Sequence, residues 1–363
     1  MRDGPLLARG AHRRASLARR TPRARALLLV AAGIVVLAAC SRTYVLADRG
    51  TQSFYQTSPP IRDTSADIER IFRAVKRIQV TGVYRTHRFA LADSVTTADL
   101  RNAATYRRAT ENYTFTHSKA GTATVIAAGP RGVTLITNEH VARLPDTVIV
   151  HYPDPAAPPR TRARERYVES VAVLTDRSDF VHELRGVRPF AVIARDSLND
   201  IAALQVDMPA GELVTGIDVL QATRGDPGRL SWASFVYVLG YPAGYRMVTR
   251  AIVSDPGRTG DSFLLDGLFN RGISGGLILA VRAETGALEW VGLATSASAE
   301  TEYVLFPEDR VIEEEGMLLP YSGPLYLERT GRINYGITFS VPLTAVEEFL
   351  RRHRLTPVPP PAG

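Results

Sequence analysis

From about residue 113 onward, apolar positions fall in short alternating runs broken by Gly, Pro and Asp, and that period of two predicts β-strands. A first set covers 123–127, 133–137, 147–151, 171–174, 191–194 and 201–206. After a break near 208–212 a second set covers 217–220, 235–239, 247–253, 262–265, 275–281, 289–295 and 336–341. Repeated short strands at this spacing predict an all-β protein of two lobes, as barrels or sandwiches. Helical spacing is confined to the flanks. Ile68, Ile71, Phe72 and Val75 follow Thr64 and Asp67, an approximate capping box. A strand is expected over 80–91 and a second helix over 97–108, while 343–353 forms an amphipathic closing helix with Val346, Phe349 and Leu350 on one face.

Charge changes the picture only at the amino terminus. The chain of 363 residues carries a formal charge of +7, but residues 1–40 hold eight Arg and one Asp, leaving 36 basic and 36 acidic side chains elsewhere. A neutral remainder without a stripe of basic and aromatic residues argues against nucleic acid. The leader runs from a basic segment, Arg13 to Arg25, into the apolar stretch 26–39. Fourteen residues are too few to span ~30 Å of hydrocarbon at ~1.5 Å per residue. The pattern is that of a secretory signal. Leu37-Ala38-Ala39-Cys40 is similar to a bacterial lipobox, which implies a lipidated Cys40, a membrane-lipid anchor and an extracytoplasmic location. Cys40 is the one cysteine of the chain, so no internal disulfide is available. Residues 40–62, rich in Ser, Thr and Pro without periodicity, are expected to be a flexible tether.

Candidate chemistry centres on Asn270-Arg271-Gly272-Ile273-Ser274-Gly275-Gly276. A serine hydroxyl needs a base and donors for the oxyanion it creates. Glycines permit positive φ, which lets successive N–H groups, here those of Gly272 and Ser274, turn toward one point. A plain Gly-Ser turn is the alternative on this stretch alone. Two further segments change that balance: Thr137-Asn138-Glu139-His140-Val141, a strand ending in a histidine, and Asn199-Asp200-Ile201-Ala202-Ala203-Leu204, an aspartate at the mouth of an apolar strand.

Together these segments resemble the trypsin/chymotrypsin-like serine proteases, most closely the HtrA-like branch. There T-N-x-H-V carries the base, D-[IL]-A-x-L its orienting carboxylate and G-x-S-G-G the nucleophile, in that order. Gly240-Tyr241-Pro242-Ala243-Gly244 and Gly336-Ile337-Thr338-Phe339-Ser340-Val341-Pro342 extend the match, which spans about 118–354. The resemblance implies two six-stranded antiparallel barrels, 116–210 and 211–342. A closing helix over 343–354, a small N-terminal extension over 63–115 and a Pro-rich tail over 355–363 complete it, with no PDZ domain expected. It implies a serine endopeptidase acting on protein or peptide substrates, with His140, Asp200 and Ser274 as triad and Gly272 and Ser274 as oxyanion donors. By analogy the primary pocket has Leu268 as floor and Thr295, Ser296 and Ala297 as wall, and the absence of a carboxylate there implies a small or medium apolar P1 residue. Asp196 competes with Asp200, but only Asp200 directly precedes the apolar strand. Family members usually carry Asn or Asp where Ile273 stands and Pro where Leu277 stands; a β-branched residue disfavours positive φ, which would shift the oxyanion loop. A protease-like lipoprotein acting as a binding module is therefore the second expectation.

Other chemistries lack their residues. There is no His-Glu-x-x-His run or paired-Cys spacing for a metal, and Gly257-Arg258-Thr259-Gly260 lacks the lysine of a phosphate loop, so no cofactor is expected. The stretches 154–169, with four arginines, and 297–332, with Glu313-Glu314-Glu315, are expected as insertions, the second as a long loop bordering the cleft.

Overall fold

The strand β13 (Gly276–Val281) shows how alternation builds the protein. All six of its residues are buried; Leu277, Leu279 and Val281 join one apolar cluster and Ile278 and Ala280 another. A strand covered on both faces reads as a continuous apolar run. The computed structural model describes residues 53–130, 132–152, 167–209, 216–257, 262–267, 269–307 and 325–355, with backbone alone for 296–307 and 325–336.

The fold is mostly β, in two curled sheets. The second ring joins β10 (Phe235–Gly240), β11 (Met247–Asp255), β12 (Phe263–Asp266), β15 (Leu325–Pro342) and β14 (Leu288–Pro307), and β14 pairs back onto β13 to close six strands. β9 (Thr223–Arg224) lies parallel to β14 outside that ring. The first sheet contains β1 (Val75–Arg88), β2 (Glu111–Gly129), β3 (Gly132–Thr137), β4 (Thr147–His151), β5 (Val168–Val181), β7 (Ala191–Asp196) and β8 (Ile201–Val206), in the order β4-β5-β1-β2-β3-β8-β7. It is a half-barrel in which, among the described residues, the β5 side is joined toward β7 through the short β6 (Arg188–Pro189). β6 pairs with β5 at Phe180↔Pro189 and Val181↔Arg188, then continues through Phe190 into β7.

Several elements differ from the sequence expectation. β1 was expected in an extension, yet it sits between β2 and β5 in the first sheet, while β4 lies at that sheet's edge. Its burial alternates from Ile78 to Thr86, so the period was present but weakened by Lys76, Arg77 and Arg85. The helix expected over 97–108 is instead two 3-10 turns, Asp99–Arg101 and Thr105–Arg108. Side chains of Asp99 and Asn102 accept from the N–H groups of Thr96 and Ala104, a local competition that favours turns over helix. Residues 217–220 form no ladder; the Leu220 N–H donates to the Val125 carbonyl. Part of the stretch expected as a loop over 297–332 is a two-stranded extension of β14 and β15, paired from Ala299↔Ile333 to Pro307↔Leu325.

Helices lie on the flanks. α1 (Ser65–Phe72) buries Ile71 and Phe72, and α3 (Leu343–Arg352) buries Leu343, Val346, Phe349 and Leu350 in the same cluster as strands of both sheets. Among the described residues no helix is long and apolar enough to cross a membrane. Residues 53–62, expected within a tether, begin with a docked segment. Phe54 and Gln56 make backbone bonds to Ala283, Val281 and Phe235, and Tyr55 is wholly buried. Its hydroxyl donates to Glu289 at 3.0 Å and accepts from the Asp226 N–H at 2.8 Å, while Arg282 pairs with the same Glu289 at 2.9 Å. Tyr55→Phe keeps the ring but strips both bonds from a buried carboxylate and amide. It is expected to lower unfolding free energy by about 1–3 kcal/mol, read from urea denaturation midpoints at unchanged slope.

Candidate active site

β3 ends at Thr137, and the single turn α2 (Glu139–Ala142) starts immediately, with Asn138 at its N-cap position. The Asn138 side chain does not cap that turn because both of its polar ends are used elsewhere. Its Nδ2 donates to the Asp200 carbonyl at 2.9 Å, and its Oδ1 accepts from the Gly275 N–H at 2.6 Å. This fully buried amide therefore ties the histidine segment to both other segments. The His140 N–H donates to Asp200 Oδ1 at 2.9 Å, and ring atom Nδ1 lies 2.8 Å from Asp200 Oδ2. Lys119 Nζ holds the carbonyl of His140 from below, at 3.1 Å.

Asp200 sits just before β8 with φ of 55°, a left-handed conformation that Asp tolerates better than most residues. It turns the carbonyl toward the N–H of Glu139 and the amide of Asn138 while the carboxylate faces the imidazole. Thr295 Oγ1 adds a third bond to the carboxylate, to Oδ2 at 2.5 Å. Burial alone would push this carboxyl up, but the His140 ring, by hydrogen bond and charge, with help from Thr295, outweighs it and holds the group below its ordinary range. Asp196, the competing acid, is occupied otherwise: it accepts from Leu198, Asn199 and Arg352.

Ser274 lies on the turn before β13. Its Oγ donates to the Thr295 carbonyl at 3.1 Å, and no hydrogen bond joins it to His140 among the described residues. Thr295 thus links serine and aspartate through its carbonyl and hydroxyl. Positive φ falls on Gly272 (101°) and Gly275 (83°), where an added Cβ would come within 2.5 Å of the Tyr241 carbonyl and 2.0 Å of the Thr122 carbonyl. Ile273 escapes the expected conflict: its φ is not positive, and its side chain is buried in the core of the second ring. The N–H groups of Gly272 and Ser274 make no hydrogen bond among the described residues, which leaves them available to an oxyanion.

The loop is also held by the opposite sheet. The Thr122 N–H of β2 donates to the Ser274 carbonyl at 2.8 Å, and its hydroxyl donates to the Gly272 carbonyl at 2.8 Å and accepts from the Tyr241 N–H at 2.9 Å. Thr122 carried no signal in the sequence, and Asn138 was visible only as a letter of a motif. Thr295, expected on a pocket wall, also bonds Asp200 through its hydroxyl and Ser274 through its carbonyl. Leu268, Cys40 and the leader lie outside the described residues, as do the side chains of Ser296 and Ala297. Among the described residues no group of His, Cys, Asp and Glu is arranged to hold a metal.

With this geometry in place, the class is a mostly β fold of one closed six-stranded barrel and one half-barrel, consistent with a trypsin-like fold rather than with two closed barrels. No protein-family profile matches the chain, and no curated protein matches it. Solved structures similar to it include "HtrA-type protease AlgW with decapeptide", at 17% identity and a TM-score of 0.43, covering 81% of this chain and 68% of that one. "HtrA-type protease AlgW with tripeptide" is similar at 16% identity and a TM-score of 0.41, covering 81% and 64%. The fold assignment stands on the strand order of the two sheets; likenesses this loose carry no residue roles.

The depressed Asp200 carboxyl fixes a sign. Its contribution to stability is complete above the unfolded value near ~4 and is lost as pH falls through the lower folded value. Wild-type stability should therefore drop more steeply than that of Asp200→Asn below about pH 4, as read from urea midpoints measured between neutral and acid pH.

Proposed function

We propose that the protein is a serine endopeptidase that cleaves peptide bonds through an acyl-enzyme formed on Ser274. The observation that carries this reading is the hydrogen-bonded chain His140–Asp200–Thr295–Ser274, which joins the histidine, aspartate and serine segments across the two sheets. In the reaction, a rotation about the Ser274 side chain exchanges the Thr295 carbonyl for the free ring nitrogen of His140. Bonds of this kind are often loose without substrate and tighten in the complex. His140 Nε2 takes the hydroxyl proton as Oγ attacks the substrate carbonyl, and Asp200 holds Nδ1–H and stabilises the imidazolium. The N–H groups of Gly272 and Ser274 receive the oxyanion. The imidazolium then protonates the departing amine, and water, deprotonated by the same ring, releases the acyl group and restores Ser274.

One observation favours a second reading, a protease-like binding module: the serine hydroxyl rests on a carbonyl and not on the imidazole. A fluorophosphonate probe separates the two. Labelling of the wild type, absent in Ser274→Ala and His140→Ala, is expected, with peptide hydrolysis reduced by roughly 10⁴–10⁶ in kcat for either variant. Unlabelled wild-type protein with folded-state spectra would establish the binding module instead.

The leader motif supports export and diacylglyceryl attachment at Cys40, which would hold the enzyme on the outer side of a bacterial membrane; the lack of a carboxylate at Leu268 supports a small or medium apolar residue at P1. Incorporation of labelled fatty acid into the wild type but not into Cys40→Ser is the expected result, and equal incorporation in both would remove the anchor from this proposal.

A further inference from the structure

The longest strand pair in the first sheet continues well past the ring. β1 and β2 pair without a register shift from Val75↔Thr124 to Arg88↔Glu111, whereas β2 pairs with β3 only over Thr124 to Gly129. From Glu111 to Gly121 the far edge of β2 therefore has no strand beside it among the described residues. Parity identifies the groups on that edge. The Val125 N–H donates to Ala74, just before β1, and the Thr122 N–H donates outward to Ser274. In an unbroken antiparallel ladder, odd residues of β2 thus face β1 and even residues face out. Asn112, Thr114, Thr116 and Ser118 each present an N–H and a carbonyl to solvent, and all four are exposed. The flanking face carries Tyr113, 50% exposed, and Phe115, 38% exposed and stacked on Tyr84 at 5.3 Å. An open edge flanked by exposed aromatic rings invites pairing with another chain.

Its position selects the partner. The outward slot at Thr122 is filled by the Ser274 carbonyl, so the open edge begins where the nucleophile's own backbone stops. On its other side Ser274 is bonded to Thr295 of β14, the start of the wall expected to hold substrate before the scissile bond. We propose that the edge Asn112–Ser118 binds the part of a polypeptide substrate that follows the scissile bond, as an added β-strand. This rests on the endopeptidase reading and extends it. The enzyme then selects extended, unfolded chains continuing several residues beyond the cut, with apolar side chains at alternate positions against Tyr113 and Phe115. Seven residues of edge at ~3.4 Å each reach over ~20 Å, far enough to discriminate by length.

The experiment uses the wild-type protein and fluorogenic peptides that share one cleavage sequence and grow stepwise after the scissile bond. kcat/KM should rise about fivefold for each hydrogen-bonding pair gained. N-methylation of alternate amides in the longest peptide should abolish the rise in one phase and spare it in the other, because only every second amide meets the edge. Thr116→Pro removes one edge donor without touching the β1 ladder and should flatten the length dependence; Thr116→Val, which keeps the N–H, should retain it. A kcat/KM independent of length, with Ser274 still labelled by fluorophosphonate, would overturn the strand addition and leave the endopeptidase standing. Absence of both labelling and cleavage would overturn both. A dimer seen by light scattering that dissociates in Thr116→Pro would assign the edge to a second copy and overturn the proposal.

Discussion

The serine loop and the histidine segment belong to different sheets and keep a fixed relation only if those sheets are held in register, and here buried polar groups do that holding. Thr122 and Asn138, both with no exposed surface, reach across to the serine loop at Gly272, Ser274 and Gly275. Apolar packing between sheets is non-directional and tolerates small slips. A buried amide or hydroxyl does not, since a shift of one ångström leaves a desolvated donor or acceptor unpaired at a cost of about 1–3 kcal/mol. Satisfied networks of this sort specify one arrangement. The glycines complete the constraint from the other direction: at Gly272 and Gly275 a side chain would collide with the backbone against which the loop is pressed.

The acid is held by the same logic. Asp200 accepts at its carbonyl from Glu139 and Asn138, and at its carboxylate from His140 twice and from Thr295. A non-glycine residue at positive φ persists where its surroundings over-determine it, and five bonds from two sheets do so here. The imidazole consequently cannot turn without breaking a charge-assisted bond, whereas the serine hydroxyl, with one ordinary bond to a carbonyl, can swing freely. The movable partner is the light one.

Much of this was legible in the chain. The motif around His140, the Asp200 strand mouth and the glycines around Ser274 are local signals, residue types at fixed spacing that the fold joins through hydrogen bonds. The alternating strands of the second ring were equally clear, β13 most of all. What the sequence hid was non-local. β1 is legible as a strand over part of its length, but its place between β2 and β5 depends on partners far along the chain. The turns between 97 and 108 depend on side-chain bonds of Asp99 and Asn102 that a helical count of apolar positions ignores. Tyr55 lies in a stretch without pattern, and only the pocket formed by Glu289, Arg282 and Asp226 gives it a place. Thr295 could be anticipated near the substrate, but its hydroxyl's attachment to Asp200 required the fold.

The burial of Tyr55 also orders events in time. Its partner Glu289 is 234 positions away, so that contact waits until nearly the whole polypeptide has emerged, and loop closure over such a span is slow. Every strand of the first sheet is complete by Val206, and chains of this size assemble region by region as they appear. The earliest-emerging described residues are thus among the last to settle, a latch thrown over the second ring once it exists, and until then that aromatic side chain stays exposed ahead of the pocket that will receive it.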